Sequence, residues 1–184
     1  MNDAPALRGR YLTAPDMNAM LASAEKNAAL WANVWRRTVV PDSFVSRVAA
    51  LGSAWHLLVL SEDWCGDAVN TVPVVARLAE LAPNVDLCVL PRDRNLDLMD
   101  THLTGTSRSI PIVIVLDQDF VERGWWGPRP APLQQWVLGP GQSLDKETRY
   151  REVRTWYARD RGLTTLEEVV AMMERSAYSW VPAA

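Results

Sequence analysis

The stretch Leu57-Leu58-Val59-Leu60-Ser61-Glu62-Asp63-Trp64-Cys65-Gly66-Asp67-Ala68 decides how the chain is read. Its first half is an unbroken apolar run, the pattern of a strand buried on both faces, which places a strand over residues 55–60. Its second half is a turn carrying a cysteine. Beyond it Val69, Val72, Val75, Ala76, Ala79 and Ala82 recur at helical spacing, so a helix follows, with Asn70, Thr71, Arg77 and Glu80 expected to face outward and Pro73 expected to kink it. A thiol at a strand-to-helix turn lies where helix amide dipoles favour its thiolate. Three residues on, where a dithiol redox motif needs its second cysteine, stands Ala68.

Working outward, Pro83-Asn84 closes the helix and Val85-Asp86-Leu87-Cys88-Val89-Leu90 reads as a second strand. A helical crossover joins the two strands, so they are expected to be parallel, with a right-handed connection. A short helix is expected over residues 95–103. Ile110 to Leu116 and Phe120 to Trp126, separated by Asp117-Gln118-Asp119, read as an antiparallel hairpin, which makes the sheet mixed. Upstream, Met17, Met20, Leu21, Ala24, Ala28, Trp31, Val34 and Trp35 suggest one long amphipathic helix ended by Pro41. Asp42 or Ser43 can cap a second, with Phe44, Val45, Val48, Ala49 and Leu51 on one face and Gly52 ending it. Downstream, Gly127-Pro128-Arg129-Pro130-Ala131-Pro132 reads as a stiff loop and 127–141 as the one candidate linker. Two helices follow, one with Tyr150, Val153, Trp156 and Tyr157 as its stripe, the other opened by a capping box from Thr165 to Glu168.

A length of 184 residues suits a single domain spanning 1–184 that buries roughly 70% of its unfolded surface. Net charge −3 with 22% charged residues argues against a nucleic-acid partner, which calls for a basic stripe. Charged residues early in the chain argue against a signal peptide, and no uncharged run reaches the roughly 20 residues of a membrane span. A cytoplasmic location without membrane association is expected, and two cysteines in no disulfide-rich pattern fit a reducing compartment.

The order strand, Trp-Cys turn, Pro-containing helix, strand, helix, Ile-Pro and hairpin resembles the thioredoxin superfamily. Trp64-Cys65-Gly66, Pro73 and Ile110-Pro111 carry the likeness, over a core of about 53–127 with helical extensions at 14–52 and 128–180. The resemblance implies an α/β fold, a mixed sheet flanked by helices, and a cis-proline at Pro111 facing the active-site sulfur. Glu62-Asp63-Trp64-Cys65-Gly66-Asp67, Arg92-Asp93, Arg108-Ser109-Ile110-Pro111 and Trp126-Gly127-Pro128-Arg129-Pro130 are similar to a little-described bacterial branch with a single-cysteine Trp-Cys-Gly-Asp motif. Family dithiol enzymes carry Cys where this chain has Ala68.

One thiol can attack a disulfide, but release then requires an external thiol, either of low molecular weight or on a partner protein. Reduction of a peroxide through a sulfenic acid is the other chemistry open to it, without further support in the sequence. Cys65 and Asp67 are the candidate catalytic residues, and Trp64, Gly66, Ile110 and Pro111 the candidate substrate-binding ones. The partners expected are protein or small-molecule thiols and disulfides; no cofactor is expected beyond the external thiol. Asp67 reads either as a helix-capping anion or as a proton carrier for the sulfur. Its charge opposes the helix dipole at Cys65, Glu62 and Asp63 add acidity, and Arg92, Arg94 and Arg108 are placed to offset it. Sequence leaves the sign of that sum open. Cys88 reads as core filling, and His56 and His102 as structural or surface residues. No cluster has metal-ligand spacing, so no metal is expected. Of Trp125 and Trp126, one is expected to face solvent beside the Pro-rich loop. A binding module that keeps the groove without turnover is the alternative reading.

Overall fold

The computed structural model describes residues 3–179; residue 180, the expected end of the C-terminal extension, and the extreme termini lie outside them. Strand β1 (Trp55–Ser61) is the centre of the fold. It pairs in parallel with β2 (Val85–Pro91) and antiparallel with β3 (Ile112–Leu116), and β4 (Glu122–Trp126) extends the sheet to the order β2-β1-β3-β4. Helix α5 (Ala68–Leu81) makes the crossover between β1 and β2. This is the mixed sheet that the strand pattern predicts, in the arrangement that the resemblance implies. Leu57, Leu58, Val59 and Leu60 are fully buried, each side chain contributing ~1.5–3 kcal/mol on transfer from water.

The N-terminal helices differ from expectation. Helix α1 (Ala4–Thr13), whose apolar residues are spread around it rather than gathered in one stripe, is capped by Asp3, whose carboxylate accepts from the Ala6 amide at 3.0 Å. It docks through Tyr11, which lies against His56 and Phe120 and donates to Asp86. The helical extension therefore starts at Ala4, not at residue 14. The single long helix expected from Met17 is two, α2 (Met17–Ser23) and α3 (Ala28–Arg37). Asp63, in the turn after β1, breaks it: its carboxylate accepts from the amides of Glu25 (2.9 Å) and Lys26 (2.8 Å), and Asn27 takes the left-handed conformation. The Asp63 carbonyl accepts from the indole of the fully buried Trp31 at 2.9 Å. Helix α4 (Asp42–Ala49) follows where expected, but neither Asp42 nor Ser43 caps it: the cap position is Pro41, and Asp42 lies in the first turn.

α5 packs on the sheet beside α9 (Leu163–Ser179), and α3 and α4 lie over them. Thr71, expected outside, is buried; its hydroxyl donates to the Asp67 carbonyl at 2.9 Å. After β2 a 3-10 turn, Arg92–Arg94, leads into α6 (Leu96–Met99), shorter than the helix expected over 95–103. His102, buried at the end of this segment, lies with Nε2 3.1 Å from Glu122 of β4, and His56 stacks on Phe120.

The expected linker at 127–141 contains α7 (Ala131–Leu138), which leads through a 3-10 turn to α8 (Lys146–Asp160). The expected capping box does not form. Thr165 lies inside α9, and Asp160 accepts from the Thr164 amide at the start of that helix. Glu168 instead accepts from the Trp126 indole at 2.7 Å and from the Ala131 amide at 2.8 Å. That bond accounts for Trp126 being buried, and Trp125 packs edge-on against His102, so neither tryptophan is the expected solvent-facing one.

Gly127 is where the Pro-rich segment crosses the start of β3. Its φ is +139°, and a Cβ there would stand 2.1 Å from the Pro111 carbonyl oxygen. Gly127→Ala is expected to cost about 3 kcal/mol through backbone strain and overlap, lowering Tm by roughly 10 °C. Asp63→Ala, which frees the amides of Glu25 and Lys26, is expected to cost about 2 kcal/mol. Urea and thermal unfolding check both.

Candidate functional site

Cys65 is held from three directions. The turn that leaves β1 is closed by the Cys65 amide donating to the Glu62 carbonyl at 3.2 Å. The Cys65 carbonyl then accepts from Val69 at 3.1 Å, and its Sγ accepts from the Ala68 amide at 3.5 Å. Cys65 thus fills the N-cap role of α5, with sulfur where Ser or Asp usually supplies oxygen. From the far side the Ile110 carbonyl accepts from Sγ at 3.3 Å, next to the Ile110–Pro111 peptide bond, which is cis. Cys65 is 7% exposed, Ala68 is fully buried, and Ile110 and Pro111 are buried, whereas Gly66 and Trp64 are exposed. Gly66 and Trp64 are the exposed neighbours of the sulfur in sequence.

Asp67 does not cap the helix. Its side chain makes no bond to the first-turn amides; it pairs with Arg129 Nη2 at 2.6 Å and accepts from the Tyr157 hydroxyl at 2.9 Å. The ion pair is largely enclosed, with 13% of the Asp67 side chain and 23% of the Arg129 side chain exposed. Gln134 of α7 holds the other arm of Arg129 at 2.9 Å. Burial, then the Asp67 charge and hydrogen bond, push the Tyr157 phenol far above its usual range, so it is a donor at any working pH.

These groups settle the balance left open by the sequence. Burial pushes the Cys65 thiol up, and the Asp67 charge adds to it; the amides of Ala68 and Asp67 and the Arg129 guanidinium pull it down, with the net direction upward. Desolvation outweighs the helix terminus because the sulfur is nearly closed off from water. The resting group is a protonated thiol.

A family model described as thioredoxin matches residues 14–159. The chain belongs to the thioredoxin superfamily. Among solved structures, it resembles a protein of unknown function from Pseudomonas aeruginosa (21% identity, TM-score 0.75), with 96% of this chain and 99% of that one covered. An HIV epitope-scaffold is also similar (21% identity, TM-score 0.71), with coverage of 91% and 96%. Both likenesses concern the fold. No curated protein matches. No helix among the described residues is long and apolar enough to cross a membrane.

Within this thioredoxin-like site, Cys65, Gly66, Asp67, Ile110 and Pro111 come together, and Trp64 stands at the rim with Arg92 stacked 5.3 Å over its ring. Of the arginines expected to offset the acidity, Arg92 and Arg108 are held by other partners. Arg92 donates to Asp93 and to the Arg108 carbonyl, and Arg108 pairs with Asp100 at 2.6 Å; Arg94 is exposed. Glu62 and Asp63 are likewise occupied, Glu62 accepting from the Asp93 amide. The cation at the site is Arg129, which the sequence reading left in a loop without a role, and its companion Tyr157 was read as helix packing. Cys88 remains a separate free thiol, half-buried against the core.

In a Cys88→Ser background, alkylation of Cys65 by iodoacetamide is expected to be slow at neutral pH and to accelerate with an inflection above that of a free cysteine. A rate profile over pH 6–11 checks the sign.

Proposed function

We propose that the protein carries out monothiol thiol-disulfide exchange through Cys65, with an external thiol as the resolving partner, in the reducing environment of the cytoplasm. The observation that carries this reading is the seat of Sγ between the Ala68 amide and the Ile110 carbonyl beside cis-Pro111. A sulfur so placed has a helix amide to stabilise its anion and an adjacent backbone carbonyl marking where an extended substrate would lie.

The thiolate of Cys65 attacks one sulfur of a substrate disulfide, forming a mixed disulfide and expelling the other sulfur as a thiolate, which takes up a proton. Ala68 has no sulfur to break that bond. A low-molecular-weight or protein thiolate therefore attacks the substrate's sulfur, taking the substrate fragment into a new disulfide and returning Cys65 as leaving group. The net reaction exchanges one thiol for another, with no change in the number of disulfides. Because Cys65 rests as a thiol, the first step draws on a small thiolate fraction, and the rate should rise with pH. Trp64 and Gly66, at the exposed mouth, are the proposed contacts for the incoming disulfide.

The upward shift of Cys65 also favours a second reading, a groove that binds an extended peptide without turnover. The two separate by experiment. With hydroxyethyl disulfide and glutathione, the exchange reading expects turnover that increases between pH 7 and 9, a mixed disulfide on Cys65 detectable by mass spectrometry, and loss of both in Cys65→Ser. Absence of the adduct and of turnover across that range overturns the exchange reading and leaves the binding module.

A further inference from the structure

We propose that Arg129 and Tyr157 are positioning residues for Cys65: by drawing the Asp67 carboxylate to themselves, they leave the first-turn amides of α5 to the sulfur. The proposal deepens the exchange reading and rests on it for its use in the cell.

The argument starts from where Asp67 sits. With Cys65 as the cap, Asp67 is the second residue of the first turn of α5, beside amides that have no partner within the helix. A carboxylate in that turn is attracted to those amides by the helix dipole and by charge-assisted hydrogen bonding. Here the Ala68 amide points to Sγ instead, and the Asp67 carboxylate makes no bond to the turn. What holds it away is the Arg129 guanidinium at 2.6 Å on one oxygen and the Tyr157 hydroxyl at 2.9 Å on the other. Each oxygen thus has its own donor.

The two holders come from different elements. Arg129 is fixed in the Pro-rich segment before α7, its second arm on Gln134. Tyr157 is the buried residue of α8, 5% exposed. The groups that act on Cys65 are then Asp67 from its own turn, Arg129 from the segment before α7 and Tyr157 from α8, while the segment before β3 contributes the Ile110 carbonyl. Without Arg129, the Asp67 charge would stand unbalanced, and its carboxylate would be free to turn to the amides that now serve the sulfur. Both changes disfavour the thiolate. The C-terminal helices, which lie outside the expected core of 53–127, are therefore joined to the thiol through one carboxylate.

The test reads ionisation of Cys65 and needs no exchange activity, so failure of the exchange reading and failure of this proposal are distinct results. In the full chain carrying Cys88→Ser, the rate of alkylation by iodoacetamide is measured from pH 6 to 11 for Arg129→Met, Tyr157→Phe and Asp67→Asn, and for Arg129→Met and Tyr157→Phe each combined with Asp67→Asn. Arg129→Met is expected to slow alkylation at pH 8 roughly tenfold and shift the profile upward by about one pH unit. Tyr157→Phe is expected to act in the same direction and less strongly, and Asp67→Asn to accelerate alkylation. In the Asp67→Asn background, the slowing by Tyr157→Phe should largely vanish, and that by Arg129→Met should shrink to the part owed to its direct pull on the sulfur. Arg129→Met and Tyr157→Phe profiles that match the parent overturn the proposal, as does slowing that persists in full once Asp67 is Asn, the result expected if Arg129 acted on the sulfur only directly or only held its loop. If Arg129→Met does not fold, the Tyr157→Phe pair decides alone by the same criterion.

Discussion

A strand buried on both faces must release the chain into a helix, and the helix needs a cap; in this protein the cap is a sulfur. The rest of the site follows from that. Oxygen from Ser or Asp would satisfy the first-turn amides of α5 as a small, strongly accepting group. Sulfur is larger and a weaker acceptor, and its 3.5 Å contact with the Ala68 amide is correspondingly loose. Its proton is turned to the Ile110 carbonyl, so the same atom closes the helix on one side and touches the start of the hairpin on the other. Cys65 is therefore a structural joint as well as the candidate nucleophile, and the two roles pull its proton in opposite directions. The helix terminus favours the anion, whereas enclosure that makes the joint firm favours the thiol, and enclosure wins.

Carboxylates do much of the work that apolar surface does elsewhere. Asp63 stops α2 and positions α3 through two amides, and its carbonyl holds Trp31. Glu168 ties the end of β4 and the start of α7 to α9. Arg47 of α4 clasps Glu167 and Glu174 of α9. The layer of helices over α5 is thus registered by polar contacts with definite geometry, which apolar packing alone leaves freer to slide. One consequence falls on the site. The turn 62–67 is restrained at Glu62 by the Asp93 amide, at Asp63 by the Glu25 and Lys26 amides and at Asp67 by Arg129 and Tyr157, so the sulfur sits in a turn with little freedom.

What the sequence made legible is what periodicity and local turns encode. The run 57–60, the helix beginning after Cys65, the strand at 85–90 and the hairpin around Asp117 are signals contained within a few residues, and each is present in the structure. The site was half legible for the same reason: Cys65, Ala68, Ile110 and Pro111 belong to local patterns. What could not be read were bonds between distant residues. The break at residues 24–27 is made by a carboxylate 37 or 38 positions away, and helical spacing across Met17 to Trp35 contains no trace of it. Thr165 to Glu168 has the spacing of a capping box, but Glu168 has stronger partners in Trp126 and Ala131. Arg129 stood in a Pro-rich run that reads as a linker, and only the folding back of α7 and α8 brings it to Asp67.

The replacement of a second cysteine by Ala68 has a consequence beyond the loss of a resolving thiol. In a dithiol site, the residue three positions after the nucleophile would lie at the same amide that here contacts Sγ, so an internal disulfide could relieve a slow first step by removing the product. Ala68 is fully enclosed, and the mixed disulfide proposed for Cys65 would persist until a second molecule reached the substrate's sulfur. Access then limits turnover as much as nucleophilicity does. The mouth of the site is formed by Gly66, which has no side chain to obstruct approach, and by the Trp64 ring, backed by the Arg92 guanidinium.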